Sequence, residues 1–588
     1  MLPVYEFGPF SLSAAEQLLR RDGKLVPLTP KALDALRLLV ERGGRVVEKE
    51  ELLRHVWPDT FVEEGNLSVT IFMLRKALGE GQRGQKYIET VPRRGYLFVA
   101  PVRRVNADGA PPQAAQPHAT EAPPPSPSDA LAVLPFVNET DDPHAEYLSD
   151  GITESIISSL ARLPQLRVLA RSTVFRYKGR AAQPQAVGRE LNVRAVLTGR
   201  VLQFGNRLII RTELVDVSDG RQLWGEQFDR PPSDVLAVQE QIARAISARL
   251  RLQLSGAQQQ LLNKPHTTSS AAYNTYLMGR YHWNKRTLAG LKEGIKYFEE
   301  ALRLDREFAL ARAGLADSYA LLGAVEYSAL PPREAVGRAR TYALEALALD
   351  DTLAEAHASL AYANIFEWNW PEAEREYLRA IELNPNYPTV RHWYGHYLTA
   401  LGRQTEAIAE LTRAQTLEPL SLPISAGLGW HYYLTRQYEQ AIAEYRKTLA
   451  LEENFYLARF LLAMAYAQVA RFDDALAEYR LANEHAGGSP PMIAGAGHVY
   501  ARLGQAEQAR AVIGELAQLA EQRYVSPYYV AVIHTALGDH AEAFAWLHRA
   551  CDNQSEGLVW AAIDPLLDAL RADPRFGDIL RRVRLEVY

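Results

Sequence analysis

From Ala271 onward the chain repeats itself every 34 residues. Small residues return at Ala361, Gly395, Gly429, Ala463, Gly497 and Ala531, and again at Ala373, Ala407, Ala441, Ala475, Ala509 and Ala543. A bulky series keeps the same step at Tyr377, Leu411, Tyr445, Tyr479, Ile513 and Leu547, and a shorter one at Leu349, Leu383, Leu417 and Leu451. Registers held in phase over this length demand a stack of like units, each burying one face on the next. Two helices per unit satisfy the spacing. Small residues let the helix backbones approach, the bulky residue fills the gap, and the leucine closes the turn into the following unit. Two earlier units fit with adjustment, one with Gly279 and Leu304, the next with Ala316, Gly323 and an insertion near "AVEYSALPPRE". About eight units are expected, with "IDPLLDALRADPRFGDILRRV" as a helical cap.

This pattern resembles the tetratricopeptide repeat (TPR), which implies an α-helical superhelix over residues 270–588. The resemblance makes Tyr362, Trp393, Tyr394 and Trp430, on the first helices of their units, the lining of a groove for a protein or peptide partner.

The remaining residues are too many for one core and divide at residues 105–128, "VNADGAPPQAAQPHATEAPPPSPS". That stretch lacks the large apolar side chains needed to offset ordering entropy and reads as a linker. Charge divides at the same place. Residues 1–104 carry 17 Lys and Arg against 13 Asp and Glu, the rest 48 against 57, so nucleic-acid contact is permitted at the N-terminal end.

Within residues 1–104, "VYEFGPFSLS" and "LLRRDGKLVPLT" read as short strands with a turn at Asp22-Gly23, and "LTPKALDALRLLVERGG" as a helix capped by Thr29 with Pro30 at its first position. Leu33, Leu36, Leu39 and Val40 form its inward stripe. A second helix follows in "EKEELLRHVW" and a third in "NLSVTIFMLRKALGE". In the third, Leu67, Ile71, Leu74 and Leu78 share the core face, which turns Asn66, Val69, Thr70, Met73, Lys76 and Ala77 outward. "KYIETVPRRGYLFVAPV" then reads as a hairpin with Arg93 and Arg94 at its tip.

Through "LTPKALDALRLL", "LLRHVWPDTFVEEGNLSV", "LRKALGE" and "YIETVPRRGYLFVAP", residues 3–102 resemble the winged-helix DNA-binding domain of the OmpR/PhoB type. The resemblance implies a third helix in the major groove and a hairpin wing on the minor groove or backbone of double-stranded DNA. It places Arg93 and Arg94 on the wing and Trp57 near phosphate, although Trp57 also suits a core position. Where many members carry arginines on the recognition helix, this chain has Phe72 and Met73. Asn66 and Thr70 are therefore expected to hydrogen-bond base edges, and Val69 and Met73 to pack on thymine methyls, favouring A·T-rich sites. Arg75, Lys76, Arg93 and Arg94 supply phosphate or minor-groove contacts. About four neutralised phosphates give a salt slope of roughly −3.6 per protomer, weak enough to call for homo-oligomers on DNA or neighbouring sites.

Residues 129–255 mix strands and helices, ending in a three-stranded meander broken at Phe204-Gly205-Asn206 and Ser218-Asp219-Gly220 and a closing helix. "LAVLPFVNETDDPHAEYLSDGITESIISSLARLPQLRVLARSTVFRYKGR" resembles the TolB-like domain that precedes TPRs in bacterial regulators and some adenylate cyclases. The polar run Asn138, Asp141, Asp142, Ser149 and Asp150 can line a ligand site or cap loops and helices.

No phosphate loop, HExxH, CxxC pair or GxSxG elbow occurs, so no catalytic residue, metal or cofactor is expected. One cysteine, Cys551, excludes an intrachain disulfide. No run of about 18 apolar residues occurs, a leader is not expected, and control through a preceding phosphoacceptor domain is not expected. The fold class expected is multidomain α+β and all-α. The function expected is a cytoplasmic DNA-binding transcriptional regulator, with RNA polymerase among its candidate partners, no membrane partner, and signal or partner sensing beyond the linker. The alternatives are an assembly scaffold whose winged helix serves protein contact, and an enzyme with its site in residues 129–255.

Overall fold

The structure, a computed structural model, describes the chain apart from residues 1–3, 8–9, 14–17, 22–23, 27–29, 42–45, 57–66, 68–69, 72–73, 76–77, 79–86, 92–94, 99, 101–102, 106–129, 141–144, 181–182, 251–253, 257–265, 325–328 and 586–588. The expected linker lies almost wholly outside the described residues. Two compact units result, Met1–Glu121 and Ala122–Tyr588.

In the first unit, strands Lys24–Val26, Leu18–Arg21, Phe10–Ser13, Val4–Phe7 and Arg103–Val105 lie in that order in one antiparallel sheet. The expected short strands pair as Val4–Phe7 with Phe10–Ser13 and Leu18–Arg21 with Lys24–Val26, and the expected turn at Asp22 and Gly23 lies outside the described residues. Helices Pro30–Glu41 and Lys49–Val56 follow, and the strands Ile88–Val91 and Gly95–Phe98 form the hairpin, joined by Val46–Glu48. Phe7, Phe10, Tyr87 and Phe98 interlock at ring-centroid distances of 5.0–6.4 Å. They fasten the first sheet to the hairpin through edge-to-face contacts. Leu36, Leu39, Leu67, Ile71, Leu74 and Leu78 complete this core.

The second unit opens with a sheet ordered Arg167–Val168, Ala130–Val133, Ala195–Phe204, Arg207–Asp216, Gln222–Arg230, with Val137–Asn138 beside Ala195–Phe204. The first three strands run parallel, because helix Glu146–Ala161 provides a crossover; the last three form the expected antiparallel meander. Eight helix pairs follow among the described residues, from Ser270–Trp283 with Leu288–Leu304 to Pro527–Leu537 with His540–Asp552. Sheet and repeats share one core, which runs from Ala130 through Ile246 to Tyr273, Phe308 and Ala311. The break near residues 255–270 is thus a change of secondary structure and not of packing.

Two charged groups cross that junction. Arg280, on the first repeat helix, donates to Glu154 Oε1 at 2.8 and 2.5 Å, and Asn284 donates to Glu154 Oε2 at 2.5 Å. Burial alone would raise the Glu154 carboxyl, but Arg280 and Arg171 outweigh it and hold the group below its usual range. Asn386 Nδ2, from a later turn, donates to the carbonyls of Ala161, Leu163 and Leu166 at 3.1, 3.3 and 2.9 Å and so caps the crossover helix.

The periodic small residues act as the spacing implies. A β-carbon on Gly395 would lie 2.6 Å from Leu411 Cγ, and one on Gly429 would lie 2.4 Å from Tyr445 Cε1. The leucine series is less uniform: Leu417 is buried, but Leu349 is 44% exposed. A further 34-residue register lies in the turns, where Trp368, Gly402, Arg436, Ala470, Gly504 and Gly538 all have φ between +58° and +78°. Half of these are not glycine, and a side chain there costs about 1 kcal/mol or more. Gly429→Val should destabilise the repeats by about 1–3 kcal/mol through overpacking against Tyr445, read by chemical denaturation. Ala470→Gly should be neutral or stabilising by up to about 1 kcal/mol in the same assay, the opposite of glycine's usual effect in a helical protein.

Candidate functional site

Of the residues expected to contact DNA, Thr70 and Arg75 fall among the described ones; Trp57, Asn66, Val69, Met73, Lys76, Arg93 and Arg94 lie outside them. Thr70 is corrected. It is 4% exposed, so it faces the domain core and not a base edge. It lies three residues after Leu67 and four before Leu74, within the buried stripe, and its hydroxyl hid that from a reading of apolar residues alone. Arg75, expected as a phosphate or minor-groove contact, also bonds within the domain. Its Nε and Nη2 donate to the Ile88 carbonyl at 3.3 and 3.0 Å, and Nη2 donates to Thr90 Oγ1 at 2.8 Å. The guanidinium ties the third helix to the first strand of the hairpin and sets the wing's position.

In the middle domain, the polar run serves local structure. Asn138 accepts from the Thr140 amide at 2.9 Å, and Ser149 donates to the Glu146 carbonyl at 3.0 Å. Asp150 pairs with Lys178 at 2.6 Å. Asp141 and Asp142 lie outside the described residues.

The repeats hold the larger surprise. After Cys551 the 34-residue pattern stops, and short 3-10 turns at Glu556–Trp560 and Pro565–Leu570 lead to a last helix, Pro574–Arg582. This segment folds back over the first helices of the repeats. Trp560 meets Trp430 edge to face at 5.5 Å and 85°, and lies 6.4 Å from His396. Arg436 donates to the Ile563 carbonyl at 3.0 Å and pairs with Asp568 at 2.7 Å. Trp370 Nε1 donates to the Val583 carbonyl at 3.0 Å. A β-carbon on Gly557 would sit 2.4 Å from the Tyr528 ring, so the turn lies flush against it.

A cavity of about 180 Å³ remains between this segment and the helices. Tyr362, Trp393 and Trp430 line it. Tyr394 is corrected: it is buried between helices, with its ring 5.7 Å from both Tyr377 and Tyr397 and its hydroxyl donating to Glu374 at 2.9 Å. The sequence reading missed His392, His396, Glu556, Trp560 and Asp564, which also line the cavity. The signal available was the end of the periodicity, followed by a glycine, a tryptophan and two acids in "SEGLVWAAIDP".

Burial pushes the Glu556 carboxyl up to about 7, with Tyr529 and Ser526 giving only partial relief. Burial also lowers His392 well below the ordinary histidine value and His396 to about 4, so both rings are neutral near pH 7. Among the described residues no group of three His, Cys, Asp or Glu is placed to hold a metal, and no helix is long and apolar enough to cross a membrane.

Because Glu556 binds its proton more tightly when folded than unfolded, it costs nothing below pH 4.5. It lowers stability as pH rises toward 7, by about 3 kcal/mol once ionised. Glu556→Gln should therefore melt above the wild type at pH 8, with the gap closing by pH 4.5. Arg75→Ala should cost roughly 1–3 kcal/mol and speed amide exchange in Ile88–Val91, without unfolding the repeats.

Comparison with known proteins agrees with this architecture. Residues 23–98 match the family model described as transcriptional regulatory protein, C terminal. Residues 127–249, read above as TolB-like, match the second domain of HilA/YgeH-like transcriptional regulators, and residues 376–409 match the tetratricopeptide repeat. Putative adenylate cyclase 3 of Rhizobium meliloti is 33% identical over 258 residues, which are 44% of this chain and 44% of that protein. Transcriptional regulator HilA of Salmonella typhi is 25% identical over 442 residues, 74% of this chain and 75% of its own length. Transcriptional activator CadC of Escherichia coli is 31% identical over 101 residues, 17% of this chain and 20% of its own. The chain carries an OmpR/PhoB-type winged helix at its N-terminus, a HilA-like regulator domain after it, and tetratricopeptide repeats toward its C-terminus.

Proposed function

We propose that the chain is a sequence-specific DNA-binding transcriptional regulator. Residues 1–104 grip promoter DNA, residues 105–128 tether them, and the HilA-like and repeat regions, 129–255 and 270–588, sense a signal or partner. The observation that carries this reading is the brace between the third helix and the hairpin. Arg75 fixes the wing strand to a helix whose stripe Leu67, Thr70, Ile71, Leu74 and Leu78 is buried, within a segment matching regulatory DNA-binding domains. The opposite stripe, Asn66, Val69, Met73 and Lys76, then forms the groove-reading face at helical spacing. Trp57, as in the family it resembles, sits near phosphate.

With Arg75 engaged inside the domain, Lys76, Arg93 and Arg94 remain as phosphate or minor-groove cations. Three contacts lower the expected salt slope to roughly −2.7 per protomer. That slope means weak binding by one domain, which favours paired protomers or adjacent sites. The likeness to HilA over about three quarters of both chains supports regulation over catalysis, since the resemblance to the putative cyclase covers less than half of either chain.

For the repeats the reading is a protein-interaction scaffold. A peptide entering along the first helices must displace residues 556–585, which already occupy that face. A partner that engages other faces of the stack meets no such competition. RNA polymerase is a candidate for it.

Arg93→Ala with Arg94→Ala should abolish promoter occupancy in a genome-wide map of bound DNA, while the purified variant keeps its melting temperature. Occupancy unchanged by the double substitution, or a salt slope near zero for the wild type, would remove DNA binding from the account and leave the scaffold reading.

A further inference from the structure

The cavity under the C-terminal segment contains more unsatisfied polarity than a packing defect would. Glu556 is 6% exposed, and its Oε2 has no hydrogen-bond partner. The Tyr377 hydroxyl, His392 Nε2 and Trp560 Nε1 are likewise buried without partners, and all four residues line the same space. Unmet buried polar groups each cost about 1–3 kcal/mol, and a fold retains several around one void when something else satisfies them.

The character of the walls restricts what that can be. Phe, Tyr and Trp supply ten of the 26 lining residues, with Trp430 and Trp560 standing at 85° to each other like two sides of a box. Among the described residues, Glu556 and Asp564 are the acidic groups of the lining, and no lysine or arginine lines the cavity. Asp564 is already engaged: it accepts from the Tyr528 hydroxyl and from the Leu566 amide at 2.9 Å. Glu556 is the acid with an open oxygen. The histidines carry no compensating charge, since burial keeps His392 and His396 neutral. Aromatic faces present negative quadrupole potential, so rings and carboxylate together attract a cation and repel an anion. An inorganic cation would need several ligands converging on one point, and among the described residues no three His, Cys, Asp or Glu are so placed. The space also limits size, since an engineered apolar cavity of about 150 Å³ accepts benzene.

We propose that this cavity is a binding site for one small organic ammonium ion, primary or methylated, with Glu556 as its counter-ion and the rings of Tyr362, Trp393, Trp430 and Trp560 as its cage. The ligand would join the first helices of the repeats to the C-terminal segment and so hold that segment closed. This inference stands independently of DNA binding by the N-terminal unit.

The test titrates the full-length chain by calorimetry with choline and with benzylamine. Their neutral and anionic counterparts, 3,3-dimethylbutan-1-ol and benzoate, serve as controls. Saturable binding of at least one cation, at least tenfold tighter than its counterpart, is expected. Glu556→Gln should weaken that binding tenfold or more while melting no lower than the wild type at pH 8. Trp430→Leu, checked for unchanged helix content, should weaken it similarly. Equal or tighter binding of the alcohol or benzoate would overturn the charge argument. Absence of saturable binding by either cation at millimolar concentration would overturn the site.

Discussion

Gly395 and Gly429 bring paired helices so close that a leucine or tyrosine of the partner helix occupies the place of a β-carbon. That approach is the contact on which the rest of the second unit depends. It aligns helix pairs at a fixed step and leaves the first helices with their aromatic residues side by side. A row of Tyr362, Trp393 and Trp430 left in water would be an exposed apolar patch of the kind that proteins cover. Here the chain covers it with its own end, by placing Trp560 against Trp430 and anchoring the turn through Arg436.

The same stack fixes the middle domain. Its crossover helix meets the first repeat through Glu154 and Arg280, and its end is capped from a later repeat by Asn386. Breaking a buried, hydrogen-bonded charge pair leaves an uncompensated ion, which is far costlier than losing a surface pair. The sheet domain and the superhelix therefore form a single packed body, so a ligand or partner acting on one is mechanically connected to the other. In the winged helix Arg75 performs a comparable task at smaller scale, joining a helix to a strand.

Much of this was legible along the chain. The repeat registers, the meander with its two turns and the buried stripe of Leu67, Ile71, Leu74 and Leu78 all follow from periodicity, which reports which face of an element is covered. Thr70 was misread because polarity was taken for exposure, although its spacing placed it among the leucines. Tyr394 was misread because a first-helix aromatic can point into the groove or between helices, and one residue of helical rotation decides which. The turn register at Trp368, Arg436 and Ala470 escaped notice because a left-handed backbone leaves a compositional mark only where glycine takes it.

The sequence by itself determined the helix pairs, the sheet strands and their order along the chain, since these depend on neighbours a few positions apart. Tertiary structure alone decided what covers the inner face of the repeats and what charge collects there. Glu556, Trp560, His392 and Tyr362 are separated by up to 198 positions, and nothing local requires them to meet. Their juxtaposition, and the unsatisfied carboxylate it creates, arise from the return of the C-terminal segment across the stack, a closure driven by burial of aromatic surface and visible only once the chain is folded.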